Sequence, residues 1–185
     1  MKIALATVLA LTLAACTSTP TLRYAVPQVP AGEKIRIGVG SVEVREVNLP
    51  LYAELETIAI ELPNGEVVSD ENLLWADNPI RAVTQGLADA LSILTRANVA
   101  AEPWPLSDYA DARLEVRFSQ ALARANGNYQ MTGQYFVTFP NGGRRDVARR
   151  FDISVPYTAG NANAIATAQG QAVTILARAI AKDGL

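Results

Sequence analysis

The sequence predicts an α+β domain: a largely antiparallel sheet with two amphipathic helices packed on one face. Three observations carry this. Strict alternation of apolar and polar residues fills the stretch from Ala112 to Val155, the mark of strands with one buried and one wet face. Two other stretches, one in mid-chain and one at the C-terminal end, repeat apolar residues at spacings of three and four, which builds a helical stripe. Asn-Gly and Pro-Asn-Gly pairs separate the alternating runs and supply hairpin turns.

In chain order, the first segment stands outside this fold. Lys2 precedes an unbroken run of apolar or small residues from Ile3 to Ala15. It has the charged, hydrophobic and small-residue parts of a secretory signal and is too short to span a bilayer. The run closes as Leu13-Ala14-Ala15-Cys16, a lipobox, with the thiol of Cys16 placed to receive a diacylglycerol. A plain secretory signal with an incidental cysteine is the competing reading. One acyl chain holds a protein weakly to a membrane, whereas two or three hold it almost permanently. Residues 1–15 are thus expected to be removed, and their loss takes away only Lys2, moving the formal net charge from −2 to −3.

Residues 16–32 form a Thr/Pro-rich leader with Pro20, Pro27 and Pro30, read as a semi-rigid spacer. Leu22, Tyr24 and Val26 alternate within it, so the part beyond Thr21 is a candidate short strand. Residues 33–185 are expected to form a single globular domain. Ile35, Ile37 and Val39, followed by Val42, Val44 and Val47, predict a strand with a bend near Gly40-Ser41. The segment Asn48-Leu49-Pro50-Leu51-Tyr52 interrupts it. Ile58, Ile60 and Leu62 mark the next strand, Pro63-Asn64-Gly65-Glu66 its turn, and Val67-Val68 the start of the return. Asn78-Pro79 is a helix start. Ile80, Val83, Leu87, Leu91 and Leu94 extend the stripe, predicting a helix from Pro79 to Ala97. Strands follow around Ala112–Ser119, Tyr129–Phe139 and Val147–Val155, and then an alanine-rich helix from Asn161 to Asp183, with Gly184 at its end.

The chemistry on offer is narrow. There is no histidine and no cysteine other than Cys16, which excludes Ser-His and Cys-His nucleophile systems and histidine or cysteine metal sites. No catalytic residue, metal or cofactor is therefore predicted, apart from the covalent diacylglycerol and acyl chain on Cys16. The slight net acidity provides no basic footprint for nucleic acid; Arg144-Arg145 and Arg149-Arg150 alternate with Asp146 and Asp152 and read as a solvated strand face. Gly38-Val39-Gly40 lacks the third glycine of a dinucleotide loop. Glu54, Glu56, Asp70, Glu71, Asp77, Asp108 and Asp111 are scattered, without a spacing that implies an acid–base pair. Candidate partner contacts are the Leu51-Tyr52 loop, Trp75 before the helix start, and Trp104 between two prolines; for both tryptophans, core packing is the alternative.

The order of these features resembles the ABC-type transport auxiliary lipoproteins, the family that includes the PqiC lipoprotein. The likeness rests on the lipobox with its leader and Leu22-Arg23-Tyr24. It rests also on Leu49-Pro50-Leu51-Tyr52 leading into Thr57-Ile58-Ala59-Ile60, and on Trp75-Ala76-Asp77-Asn78-Pro79 opening a helix. It extends from about Leu22 to Ala181. Leu74 and Ala53-Glu54 stand where the family usually has basic residues or a leucine. The resemblance implies a non-catalytic, periplasm-facing lipoprotein, an auxiliary component that docks an MCE/ABC-type lipid transport system at the membrane. Its implied partners are an MCE-domain periplasmic protein and ABC transporter components, and it allows a homo-oligomer. Thr17, where inner-membrane retention uses aspartate, is compatible with the outer membrane. The alternative is a self-contained lipoprotein that itself binds a lipid or another envelope component; an enzyme would need a cleft with converging carboxylates.

Overall fold

The computed structural model describes residues 20–28, 30 and 32–185; the signal peptide, Cys16 and Thr17 lie outside the described residues. Among those described, eight strands join in one sheet and three helices accompany it. The strands are β1 (Leu22–Tyr24), β2 (Ser41–Val44), β3 (Thr57–Glu61), β4 (Val67–Trp75), β5 (Asn98–Ala101), β6 (Ala112–Ala123), β7 (Asn128–Thr138) and β8 (Val147–Pro156). The helices are α1 (Leu51–Glu54), α2 (Pro79–Leu94) and α3 (Ala162–Asp183).

The longest ladders are antiparallel, as the alternation predicts: β6 with β7, and β7 with β8. Strand β6 is the trunk. One edge meets β7 along its length, while the other is divided between two strands. Val42 and Val44 of β2 pair in parallel with Ala112 and Leu114, and Ile60 of β3 pairs in parallel with Ala123. β5 joins β2 in parallel, β4 joins β3 antiparallel, and β1 joins β4 in parallel. Between the two halves β6 carries a bulge at Phe118–Gln120, and the partner chain swings out there as α1. The hydroxyl of Tyr52 fills the gap by accepting from the backbone N–H of Ala121 at 3.3 Å. Buried backbone donors need such a partner.

Helices α2 and α3 cover one sheet face. Leu87, Leu91, Leu94, Ile165, Leu176 and Ile180 are fully buried against Val42, Val44, Leu114, Val116 and Met131, each contributing about 1.5–3 kcal/mol by its burial. Asn78 caps α2 by accepting from Arg81 N–H at 3.0 Å, with Pro79 at the first helical position. Asn161 caps α3 in the same way.

Several elements depart from the sequence expectation. α2 stops at Leu94, not Ala97, because the Thr95 hydroxyl and backbone N–H both close onto Leu91 O, and the chain then turns into β5. Residues Ile35, Ile37 and Val39 do not form a strand. Their backbone bonds go to helix ends instead, Ile35 N–H to Leu94 O and Gly38 N–H to Leu185 O, while their apolar side chains still pack on the core. The leader, by contrast, forms the short strand that its alternation beyond Thr21 suggests. From Leu22 it forms β1, and Gln28 then donates to Asp89 of α2 at 2.7 Å. Gly170 of α3 lets Pro27 O approach so closely that an added Cβ would lie 2.4 Å from it.

That contact gives a direct test. Gly170→Val is expected to lift residues 25–28 from the helices at a cost of about 1–3 kcal/mol. The readouts are a lower urea midpoint and new proteolytic cleavage in the leader.

Candidate functional site

Tyr52 and Trp75 meet; Leu51 and Trp104 stand elsewhere. Tyr52 lies half-buried at the α1 break, beside Leu49, Thr57, Ala121, Tyr129 and Gln169, and Trp75 lines the same small cavity. Trp75 is only 7% exposed, its backbone N–H donating to Glu56 O at 2.7 Å and its backbone carbonyl accepting from Arg23 at 3.1 Å. A residue so covered leaves almost no area for a partner, so its direct contribution is to the core. Tyr129, buried against this cavity, has its hydroxyl pKa driven upward by burial and then by the neighbouring Tyr52. The polar atom out of place here is Gln169 Oε1, buried and without a protein hydrogen-bond partner.

Leu51 is 77% exposed at the tip of α1, an apolar side chain the fold itself does not use. Trp104 is partly covered and lies in the loop that leads into β6, its indole N–H donating to Asp108 O at 2.7 Å. The same loop displays Leu106, 52% exposed, and Tyr109, 77% exposed. Sequence reasoning passed over these two, although a Pro-Trp-Pro-Leu-Ser-Asp-Tyr stretch without strand or helix periodicity was a readable signal of an apolar loop.

A third feature is a groove of about 240 Å³ between α2, α3 and the leader, lined mainly by apolar groups including Val26, Pro27, Val83, Ile93 and Val173. Gln85, Asp89 and Thr174 provide polar groups at it. On the opposite sheet face the surface is polar. Glu43 Oε2 lies 2.8 Å from Arg113 Nε, off the line a hydrogen bond requires, and Arg117 pairs with Glu115 and covers the Phe136 ring. Glu43 is buried beneath Arg113, whereas the exposed Arg117–Glu115 pair is worth at most about 1 kcal/mol. At the end of the sheet Glu61 accepts from Arg124 Nε at 2.6 Å and from Ala125 N–H at 3.1 Å. The Arg124 bond, then the Ala125 bond, hold its carboxyl below the usual range. Among the described residues no group of three or more carboxylates is placed to hold a metal ion.

Two outcomes are expected. Tyr52→Phe leaves Ala121 N–H without its acceptor and should cost about 1 kcal/mol in urea denaturation. Glu61 contributes stability above the ordinary carboxylate range, because the unfolded chain takes up its proton first. That contribution disappears as pH falls through the lowered folded value. Glu61→Gln should therefore be less stable than the parent at neutral pH and lose less stability on acidification, as measured by denaturation midpoints across pH.

Comparison with known proteins places these features. The family model for the ABC-type transport auxiliary lipoprotein component matches residues 21–181. No curated protein matches the chain. Among solved structures, the crystal structure of an uncharacterized protein superposes with a TM-score of 0.71 at 16% identity, covering 87% of this chain and 97% of that one. A Xanthomonas campestris protein superposes at 0.68, also 16% identical, covering 86% of this chain and 92% of its own. At such identity these two similarities speak to the fold. The family match spans the body from β1 to the last turn of α3, and the chain belongs to the ABC-type transport auxiliary lipoprotein family.

Proposed function

We propose that this protein is a non-catalytic, periplasm-facing lipoprotein, held in the outer membrane by a diacylglycerol and acyl chain on Cys16. In this reading it docks an MCE-type lipid transport system, contacting the MCE-domain periplasmic protein and through it the ABC transporter. The observation that carries this is the family match over residues 21–181, which covers the folded body and so attaches the auxiliary role to the domain and not to the anchor alone. The body suits docking. Its core is filled, and part of its exposed apolar surface stands on protruding segments: Leu51 on α1, and Leu106 and Tyr109, beside the half-covered Trp104, on the loop before β6. Tryptophan and tyrosine are typical contact anchors, and exposed apolar patches around them mark interaction surfaces. Tyr52 and Trp75 serve from beneath, by fixing α1 to β6 and the sheet.

A second reading has its own observation. The apolar groove between α2, α3 and the leader, at about 240 Å³, falls just short of the usual small-ligand range of about 300–1,000 Å³, but its apolar lining favours a self-contained carrier of a lipid or another envelope component.

Cross-linking in membranes followed by affinity capture separates the two. Docking predicts recovery of an MCE-domain protein through the folded body, weakened by the pair Leu106→Ala and Tyr109→Ala, with cross-links between copies reporting any homo-oligomer. Failure to recover any MCE or ABC component, together with a stoichiometric lipid in native mass spectrometry of the anchor-free body, would favour the carrier.

A further inference from the structure

The end of the molecule that faces the lipid surface follows from how the leader joins the sheet. Because β1 runs parallel to β4, with Leu22 opposite Leu73 and Tyr24 opposite Trp75, Thr21 and Pro20 lead back from Leu22 toward the beginning of β4. That beginning is the β3–β4 turn at Pro63–Glu66. Ala76 N–H donates to Tyr24 O at 2.9 Å. In a parallel ladder this makes Tyr24, Leu22 and position 20 the residues whose backbone groups turn toward β4. Position 20 is proline and has no N–H to give. Its carbonyl would meet Asn72 N–H, which the Asp70 side chain already engages at 2.8 Å. The ladder therefore stops at Leu22, and among the described residues no strand pairs with the outer edge of β4 from Val67 to Glu71.

Six residue steps separate Leu22 from Cys16, a reach of at most about 20 Å. The same six steps separate Leu73 from Val67 along β4, again about 20 Å. The anchor thus cannot stand farther from Leu22 than the hairpin tip does. The tip does not stand alone. Glu61 is bonded to Arg124, Tyr157 N–H to Gly127 O at 2.8 Å, and the Tyr157 hydroxyl to Arg124 O at 2.9 Å. The turns after β3, β6 and β8 are therefore tied into one rigid end.

That end exposes apolar side chains the fold does not use: Val67 at 45% and Val68 at 41%. Glu66, Asp70 and Glu71 beside them discourage both pairing with another strand and attraction to anionic lipid. We propose that the β3–β4 hairpin rests on the lipid headgroup surface beside the anchor, dipping Val67 and Val68 shallowly. The β7–β8 turn and the Trp104 loop then point away from the membrane. This orientation rests on the reading of Cys16 as acylated.

Cys16 is the only cysteine, so in the acylated protein a second one is a unique label site. Full-length lipidated Val67→Cys, Asn64→Cys and Asn141→Cys variants, each carrying an environment-sensitive fluorophore, would be reconstituted in phosphatidylcholine vesicles containing nitroxide-labelled lipid. Positions 64 and 67 should be quenched several-fold more strongly than position 141 in the β7–β8 turn. Equal quenching, or stronger quenching at 141, in protein whose Cys16 fragment carries its acyl mass overturns the orientation alone. Absence of acyl mass on Cys16 overturns the anchor reading and the orientation with it.

Discussion

The structure depends on one hydrogen-bonding problem: the second edge of β6. β6 is twelve residues long, and the alternate residues that turn their donors and acceptors to that side are not covered by any single strand. β2 takes the first part and β3 the last, both parallel. Between them β6 bulges and the partner chain leaves as α1, and the Tyr52 hydroxyl takes up the Ala121 N–H. Everything lateral hangs on this division. β5 and the end of α2 follow β2, whereas β4 and the leader strand follow β3.

The division also links the leader to the core. β1 is bonded to β4, β4 to β3, and β3 to β6, while Pro27 sits against Gly170 and Gln28 against Asp89. A leader with several prolines would float as a spacer if nothing received it. Here helix α3 offers a glycine where a side chain would block it, so the spacer becomes a clamp. With the proposed anchor on Cys16, a body clamped this near it would have few orientations at a membrane.

Legibility varied with the range of the interactions involved. The Asn78-Pro79 cap and the leucine stripe gave α2 its start, since both are local, but its end was overrun by one turn. The Thr95 hydroxyl, which closes the helix, looks like any other polar residue in sequence. The hairpins of β6, β7 and β8 were readable because each has one wet face. Ile35, Ile37 and Val39 misled, because alternation arises equally when an irregular segment lies across helix ends. β5 was invisible: Asn98–Ala101 is four residues long and exists only because β2 offers an edge. Of the apolar side chains left uncovered or half-covered on loops, Leu51 and Trp104 were picked out by their neighbouring prolines, but Leu106 and Tyr109 were not. Trp75 could not be assigned from sequence, since a buried and an exposed tryptophan are written alike.

The sequence by itself determined the class of the molecule: a lipobox at Cys16, no histidine chemistry, alternating strands, two amphipathic helices and the family resemblance. These are matters of composition and short-range period, which a chain carries without folding. Only the tertiary structure decided the parallel pairings, the divided edge of β6, the burial of Trp75 and the docking of the leader. Those depend on residues far apart in sequence competing for the same backbone groups and the same space, and that competition has no local signature.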